Sequence, residues 1–364
     1  MHRQPSRTSF LRNTTLAISL LSAGCATQLR QPHPSQVAIE EEREAQRVVA
    51  LQSLLDRQSR VARVASRLSV AGAELCGDDV RPVFGLMWVT SKELPEEYRL
   101  AAARLGLSEQ VRVWTVVAGL PAESAGLRTG DLILAAGGKS LEDGKDLSSA
   151  IHDTGRTGVI SLRIRSSGES EERDVTVHGA SACSYPVTVG DQETINAMAD
   201  GDQVVITKGM MRFATTDDEL ALVIGHEIAH NALHHMRQNK AMVGVGAGLG
   251  LLLDVAAALG GVNTGGAFTR LGMQAGSGVN RVFSVDHEQD ADYMAIYLSE
   301  RAGFRIDEAP NFWRRMAADQ PKDIDDYMGR THPSSPERSA SLQAAIAEIA
   351  QKKEAGLPLL PERE

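Results

Sequence analysis

The sequence contains few aromatic residues, few cysteines and no excess of basic residues, and each shortage excludes a class of protein. Aromatic residues make up 4% of the 364, which argues against a stacking platform for single-stranded nucleic acid. Lys and Arg number 38 against 47 Asp and Glu, so a net charge of −9 does not provide the basic face of a nucleic-acid-binding protein. Three cysteines are too few for a small disulfide-stabilised scaffold. We therefore expect no nucleic-acid partner.

The composition is otherwise that of a folded protein. Hydrophobic residues make up 42% of the chain and charged residues 23%, so disorder throughout and a polytopic membrane protein are both disfavoured. The length allows two ordinary domains, or one domain that carries an insertion.

Residues 1–24 have the form of an export signal. Arginines and no acidic residue precede a short, mostly apolar run at residues 14–23, which is too short to span a bilayer. The segment ends at Cys25 in a sequence that resembles the lipobox of bacterial lipoproteins, although Ser22 stands where that motif has leucine. The resemblance implies that Cys25 is acylated and anchors the protein to a membrane, facing the periplasm and on the outer membrane. The alternative is an ordinary secretory signal with a chance cysteine.

The next residues change character twice. Residues 25–36 are polar and contain two prolines, which is typical of a short tether. Residues 37–75 lack proline and place apolar residues at helical spacing, which predicts one long amphipathic helix or two. Between residues 80 and 180, short β-type runs alternate with glycine turns and predict a separate β-rich module.

The centre of this module resembles a PDZ domain. A short helix is predicted after Pro121 and ends at Gly126, and Gly130 and Asp131 form a tight turn into an apolar strand. The resemblance implies that a peptide adds as a strand beside a hydrophobic-glycine-hydrophobic loop that holds its carboxylate. The candidate for that loop is Phe84, Gly85 and Leu86. The alternative is a small β-domain without a ligand.

Two cysteines flank the PDZ-like module. Cys76 lies just before it and Cys183 just after it, and an exported protein meets an oxidising compartment. The ends of a PDZ module lie close together when it is inserted in another domain. We therefore expect a disulfide between these cysteines at the base of the insertion, with two buried thiols as the alternative.

The clearest catalytic motif is His226-Glu227-Ile228-Ala229-His230. Residues 216–219 have the form of a helix capping box, so the motif is predicted to lie on a helix. Residues i and i+4 share a helix face, with Cβ atoms about 5–6 Å apart, and two imidazoles there can bind one Zn²⁺. Glu227 can then take a proton from a water whose pKa zinc lowers. The alternative is a helix with two surface histidines, but flanking apolar residues favour a buried helix.

A zinc site needs a third protein ligand, and the acidic segment downstream offers several. The helix motif, the pattern E-x-x-A-D at Glu288 to Asp292 and a Thr-His-Pro-Ser segment containing His332 occur together in family forty-eight of the metallopeptidases, which the chain resembles over residues 184–345. The resemblance implies that Glu288 is the third ligand and that Asp292 orients the site. His287 is the competing third ligand, because imidazole also binds zinc well.

The same resemblance implies roles for further residues. Asn196 and Ala197 correspond to an asparagine-alanine pair on the edge strand that holds the substrate. His332 either donates a hydrogen bond to the developing oxyanion or binds zinc in a latent form. Arg338 is expected to fix the surrounding loop through a salt bridge.

Two other features near the metal motifs are not assigned to the site. His234 and His235 continue the metal helix, but a ligand at His234 would leave Glu288 without a role, so both are predicted to be non-ligands. The glycine-rich apolar stretch at residues 241–262 is interrupted by Asp254, which favours a buried or interfacial helical hairpin over a membrane span. In this respect the chain resembles the soluble exported branch of the family.

The sequence thus predicts an α+β protein whose peptidase domain, mostly helical with a small edge-strand sheet, is divided by a β-rich insertion. The predicted segments are a signal peptide (1–24), a tether (25–36), an N-terminal helix of the peptidase domain (37–75), a PDZ-like insertion (76–183), the zinc peptidase domain (184–350) and a loose tail (351–364).

The predicted function is that of an endopeptidase with one Zn²⁺ per chain, which cleaves peptides or unfolded proteins of the cell envelope in quality control. The alternative is a non-catalytic or latent PDZ adaptor or chaperone with a structural zinc site.

Overall fold

The computed structural model describes residues 32–235, 283–319, 332 and 336–362. The chain divides into two compact units, Met1–Arg43 and Glu44–Glu364. In the first unit the described part is the exposed start of a helix, where Arg43 pairs with Glu40. The signal peptide with Cys25, and the glycine-rich stretch at 241–262, lie outside the described residues. No helix within the described ranges is long and apolar enough to cross a membrane.

The structure confirms the α+β class. The α-helices of the described residues are α1 (Gln36–Ala71), α2 (Arg99–Arg104), α3 (Pro121–Ser124), α4 (Gly144–Asp153), α5 (Lys208–Phe213), α6 (Asp217–Ala232), α7 (Val285–Arg301), α8 (Ala309–Ala318) and α9 (Pro336–Glu354). Short 3₁₀ helices cover Ala73–Cys76, Ser91–Glu93, Glu96–Tyr98 and Gly155–Thr157. The strands are β1 (Val80–Val83), β2 (Leu86–Val89), β3 (Val111–Val116), β4 (Leu132–Ala136), β5 (Lys139–Ser140), β6 (Val159–Arg165), β7 (Glu172–His178), β8 (Ala180–Cys183), β9 (Val187–Gly190), β10 (Ala197–Ala199) and β11 (Val204–Thr207).

The β-rich module is a six-stranded antiparallel sheet in the order β2-β3-β4-β6-β7, with β5 paired to β4. Alternate residues of β3 and β6 face its core; in β6, Ile160, Leu162 and Ile164 are buried and the residues between them are exposed. Helices α3 and α4 contribute Ala122 and Leu147 to the same core. Strand β2 lies at one edge of this sheet.

The two ends of the module meet at its base. Strands β1 and β8 pair antiparallel, with Val80 opposite Cys183 and Val83 opposite Ala180. The structure joins Cys76 to Cys183 in a disulfide, with Cα atoms 5.6 Å apart and a sequence separation of 107. In the chain-entropy account, closing a loop of this length stabilises the fold by about 4–5 kcal/mol.

The remaining elements pack around α6, which is buried along nearly its whole length. Helix α7 lies against α6, and α8 and α9 complete the helical layer. A three-stranded sheet in the order β10-β11-β9 packs on α6, with β9 and β11 parallel and β10 and β11 antiparallel. Helix α1 packs on this core through Val61, Val64 and Leu68. Nearer its N-terminus, Leu51 and Leu55 pack against the inserted module, where they contact Val89, Ala101 and Leu107.

The C-terminal residues differ from the prediction of a loose tail at 351–364. Helix α9 continues to Glu354, and the described residues after it lie against α7. Arg301 donates to the carbonyl of Leu359 at 3.0 Å, and Lys352 donates to that of Leu360 at 2.8 Å. Gly356, at φ 64°, ends the helix ahead of the prolines that suggested a free tail, and charged side chains on α7 and α9 hold the segment that follows.

Candidate metal centre

Helix α6 presents the first two candidate ligands and the candidate base. Its N-terminus is a complete capping box, in which Glu219 N donates to Thr216 Oγ1 at 3.2 Å and the Glu219 carboxylate accepts from Thr216 N. One helical turn separates His226 from His230, and their Nε2 atoms lie 3.0 Å apart. Both imidazoles are buried, so the alternative of surface histidines does not apply.

Helix α7 brings the third candidate ligand to the same place. Ser284 caps this helix by accepting from His287 N at 3.1 Å, and Glu288 lies on its first turn. The fully buried Glu288 carboxylate lies 3.4 Å from His226 Nε2 and 3.3 Å from His230 Nε2.

His332 supplies a fourth donor. Its Nδ1 atom lies 3.2 Å from His226 Nε2 and 3.0 Å from Glu288 Oε1. One ligand atom from each of His226, His230, Glu288 and His332 falls within 4.8 Å of all the others.

These separations fit a tetrahedral metal ion. Bonds of about 2.0–2.2 Å at tetrahedral angles place neighbouring ligand atoms about 3.3 Å apart. The five distances given above range from 3.0 to 3.4 Å. A donor set of imidazole and carboxylate is also one that suits Zn²⁺.

Asp292 and Arg338 form the layer behind the ligands. Asp292 Oδ1 lies 2.9 Å from Nδ1 of His226, on the side of the ring away from the cluster. Arg338 donates to both carboxylate oxygens of Asp292 at 2.8 Å, and its Nη1 atom lies 2.7 Å from Glu288 Oε2. The salt bridge predicted for Arg338 therefore falls on the metal centre itself, and it orients Glu288 as well as Asp292.

Glu227 is placed to act as a base rather than as a ligand. It is buried, and its Oε1 atom lies 3.5 Å from Nε2 of His332. Its Oε2 atom has no hydrogen-bond partner among the described residues. Burying a carboxylate oxygen without a hydrogen-bond partner destabilises a fold. A water or a substrate group beside the cluster would donate a hydrogen bond to this oxygen.

The charges of the centre depend strongly on each other. Burial opposes ionisation of Glu288, but Arg338 and the nearby imidazoles outweigh it and hold the pKa of that carboxyl well below its usual range. Burial likewise opposes a charge on His226, but the Glu288 and Asp292 carboxylates raise its pKa to about 10. For His230 burial dominates and keeps the pKa well below its usual range.

Aromatic side chains enclose the cluster, and the sequence did not single them out. Phe283 stacks on His230 at 3.9 Å between ring centroids, and Trp313 on α8 lies 5.4 Å from His226 and 5.1 Å from the Arg338 guanidinium. No motif carries Trp313, and its amphipathic helix was the only available signal. His287, the competing ligand, is outside the four-donor set.

His235, predicted to be a non-ligand, is outside the four-donor set, but it is buried and contacts a ligand. Its Nδ1 atom lies 2.9 Å from Nδ1 of His230, and its ring stacks on His287 at 4.2 Å. Burial, and then the charge on His287, lower the pKa of His235 to about 4. Its offset of five residues from His230 is not a helical one, so helical periodicity could not place it.

The predicted substrate strand lies beside the metal helix. Ala197 begins β10, which pairs with β11 on one side and is the outer strand of its sheet. Asn196 precedes it, and its carbonyl accepts from Thr207 Oγ1 at 2.7 Å. The predicted carboxylate loop, Phe84 to Leu86, lies between β1 and β2 of the inserted module and lines a large cavity there.

Comparisons with known proteins agree with both modules. The family model described as Peptidase family M48 matches residues 169–346, and that described as PDZ domain matches residues 112–165. The chain is 30% identical over 189 residues to the mitochondrial metalloendopeptidase OMA1 of Arabidopsis thaliana, covering 50% of this chain and 37% of the relative. It is 27% identical over 190 residues to OMA1 of Schizosaccharomyces pombe, covering 50% of this chain and 53% of the relative. It is 30% identical over 135 residues to the beta-barrel assembly-enhancing protease of Yersinia pestis, covering 35% of this chain and 27% of the relative. The chain thus spans between about a quarter and a half of the length of these relatives.

Metal binding is expected to release a proton. A pKa of about 10 means that His226 carries a proton at pH 7 in the metal-free protein, and the metal must displace it. The apparent Zn²⁺ affinity should therefore fall by about tenfold for each pH unit of acidification below that pKa. Titration calorimetry at pH 7, in buffers of different ionisation enthalpy, should give about one proton released per ion.

The exposed His178 on β7 provides a control, because His178→Gln should leave the proton count unchanged. A binding heat that does not depend on the buffer would contradict the expected displacement.

Proposed function

We propose that the chain is a zinc-dependent metalloendopeptidase, because residues 169–346 match the model of Peptidase family M48 and residues 112–165 match that of a PDZ domain. The observation that carries the proposal is the arrangement around α6. Three buried donors, from His226, His230 and Glu288, lie at tetrahedral separations, and the carboxylate of Glu227 next to them has an unpaired oxygen among the described residues. A metal site of purely structural role has no use for this additional carboxylate, which is not one of the ligands.

The chemistry of peptide hydrolysis can be assigned to these side chains. His226, His230 and Glu288 would hold Zn²⁺, which polarises a carbonyl and lowers the pKa of a water to about 7. Glu227 takes one proton from the attacking water, whose oxygen forms a bond to the carbonyl carbon. Glu227 then delivers that proton to the amide nitrogen as the C–N bond breaks, so the carboxylate is regenerated.

The substrate is proposed to lie as an added strand on β10. The outer edge of β10 has no neighbour in the described sheet, and the strand packs on the helix that carries the metal motif. An extended peptide bound there by main-chain hydrogen bonds needs no particular sequence, which suits peptides and unfolded proteins as substrates.

The variant Glu227→Gln tests the catalytic proposal. We expect it to retain one Zn²⁺ per chain but to lose casein cleavage by about a hundredfold or more, because the proton acceptor is gone and the three ligands remain. Zinc content is measured on the purified protein, and cleavage is measured by release of labelled peptides. Glu354→Gln, at the exposed end of α9, is the matched control and should keep full activity. Undiminished cleavage by Glu227→Gln would exclude Glu227 as the base.

A second candidate function is a latent enzyme or a zinc-containing adaptor. The observation that favours it is His332, whose Nδ1 atom completes a four-donor set and would leave no open position on a tetrahedral ion. In the first proposal His332 instead leaves the ion and donates to the developing oxyanion.

His332→Ala distinguishes these roles. In a latched enzyme the substitution opens the fourth position and should raise casein cleavage several-fold, whereas loss of an oxyanion donor should lower it by about 10²–10³-fold. An adaptor without catalysis predicts no cleavage in either form, with zinc retained.

The PDZ domain is proposed to bind an extended peptide in a groove that the peptidase part helps to build. A cavity of about 750 Å³ lies between β2, α4, α1 and the segment before β9. A second cavity of about 370 Å³ continues between β2, β9 and α1. Strand β2 is the edge of its sheet and β9 the edge of another, so both have main-chain groups available along this space.

The lining indicates the kind of peptide. Most lining residues are apolar or small, and no acidic residue is among them. Arg81 on β1 lines the cavity and carries a positive charge, and it forms no ion pair with another described residue. Gly85, at φ 74°, brings the backbone of the predicted carboxylate loop close to Leu120, where a Cβ atom would be 2.4 Å from that side chain. We infer a peptide with apolar side chains and a free terminal carboxylate.

Arg81→Gln tests this inference. It should weaken binding of a peptide with an apolar, free C-terminus by about tenfold, because a charge-assisted contact is lost. Binding of the same peptide with an amidated C-terminus should already be weak and should not change further. Arg128→Gln, at an exposed position of the same module, is the control and should bind like the unmodified protein. Equal binding of acid and amide forms by the unmodified protein would exclude carboxylate recognition.

The cellular setting is proposed from the N-terminal sequence. An acylated Cys25 would hold the enzyme at the outer membrane, facing the periplasm, where damaged envelope proteins are its substrates. One of the relatives is named a beta-barrel assembly-enhancing protease, and this name is consistent with the proposed task in quality control of envelope proteins. Fatty-acid labelling that persists in Cys25→Ser would rule out this anchor.

A further inference from the structure

The two histidines of the metal helix have different partners behind them. Both direct Nε2 toward the cluster, and Nδ1 of His226 faces the carboxylate of Asp292 at 2.9 Å. Nδ1 of His230 faces no carboxylate of the described residues; it lies 2.9 Å from Nδ1 of His235. A metal-binding histidine commonly donates its second ring N–H to a fixed acceptor, which sets its tautomer and its orientation.

The proton positions follow from this geometry. When Nε2 of His230 offers its lone pair to a metal, the ring proton must be on Nδ1. The Nδ1 atom of His235 must then accept it, and the proton of a neutral His235 is on Nε2. The hydrogen bond between His230 and His235 therefore forms only when the proton of His235 is on Nε2.

A left-handed turn of the backbone places the side chain of His235 next to that of His230. Helix α6 ends at Ala232, and the next turn includes His234 at φ 58°, the non-glycine residue with a positive φ in the described chain. Its N–H donates to the Asn231 carbonyl at 3.0 Å. A left-handed conformation is unfavourable at a residue other than glycine, because Cβ approaches the following carbonyl oxygen. At His234 this backbone conformation turns the chain so that the buried side chain of His235 contacts the ligand His230.

Neighbouring rings fix the plane of His235. It stacks on His287 at 4.2 Å with an angle of 16° between the planes, and His287 precedes the ligand Glu288 on α7. Phe283 stacks on the other member of the pair, His230, at 3.9 Å and 20°. His235 is 3% exposed, so no bulk water competes for the hydrogen bond between the two imidazoles.

We propose that His235 is a positioning residue for the metal centre, which accepts the Nδ1 proton of His230 and thereby holds Nε2 of that ligand toward the ion. This role rests on the proposed metal function of His226, His230 and Glu288. It gives the second ligand a neutral partner where the first has an anionic one.

Two conservative substitutions separate this role from simple packing. The amide oxygen of the asparagine in His235→Asn can occupy the place of Nδ1, whereas the longer side chain in His235→Gln places its amide near the position of Nε2. We therefore expect His235→Asn to bind Zn²⁺ within about threefold of the unmodified protein and His235→Gln to bind about 10–100-fold more weakly. Affinity is measured by competition with a chromophoric chelator on the full chain, in the Glu227→Gln background so that no self-cleavage occurs.

His234→Asn is the matched control, because asparagine tolerates the left-handed conformation and the side chain of His234 is partly exposed. It should bind zinc like the parent protein. Thermal unfolding of each metal-free protein checks that the variants fold alike.

Two results would overturn the proposal: zinc binding by His235→Gln as tight as by the parent, or equal losses in His235→Asn and His235→Gln. Failure of the metal function itself is separate, since the parent protein would then bind no zinc at all.

Discussion

The described helices α6, α7 and α9 are arranged around the burial of ionised groups, which is the most expensive feature of this part of the fold. Glu288, Asp292 and Arg338 are 0%, 2% and 4% exposed, and a buried charge is tolerated only when it is paired and hydrogen-bonded. Arg338 pairs with both carboxylates, but Glu227 adds a third buried carboxylate beside them. Three carboxylates against one guanidinium leave an excess of acidic groups, which a divalent cation would neutralise. The Glu288 and Asp292 carboxylates also raise the pKa of His226 to about 10, which favours a positive charge at the same place.

Such a centre requires helices that do not move relative to each other. Glu288 and Asp292 lie on α7 and Arg338 on α9, so the salt bridges are kept only while these two helices are held in register. A second polar contact lies further along the same pair. Tyr297 of α7 donates to Glu348 of α9 at 2.5 Å and accepts from Lys352 at 2.9 Å. The packed C-terminal segment adds a third contact, and this explains physically why residues after α9 are not a loose tail.

The sequence predicted those parts of the site that depend on local rules. The capping box and the four-residue spacing placed His226 and His230 on one face of a helix, because helical geometry follows from neighbouring residues. Glu288 could be assigned only through a family pattern, since no local rule brings α7 against α6. His235 was missed for a different reason. Its position depends on the left-handed backbone at His234, which a histidine adopts only when the surrounding structure enforces it.

The inserted module is also part of this arrangement rather than an appended binding domain. Helix α1 packs against both the helical core and the module, and the disulfide between Cys76 and Cys183 closes the base of the insertion. The proposed groove is bounded by β2 on one side and by the edge of the β10-β11-β9 sheet on the other. The outer strand of that same sheet is the proposed substrate edge beside the metal helix. A peptide that entered the groove would therefore contact β9, two strands away from the substrate, without approaching the metal. Regulation through such a sheet needs no movement of the buried charges, which the packing of α6, α7 and α9 opposes.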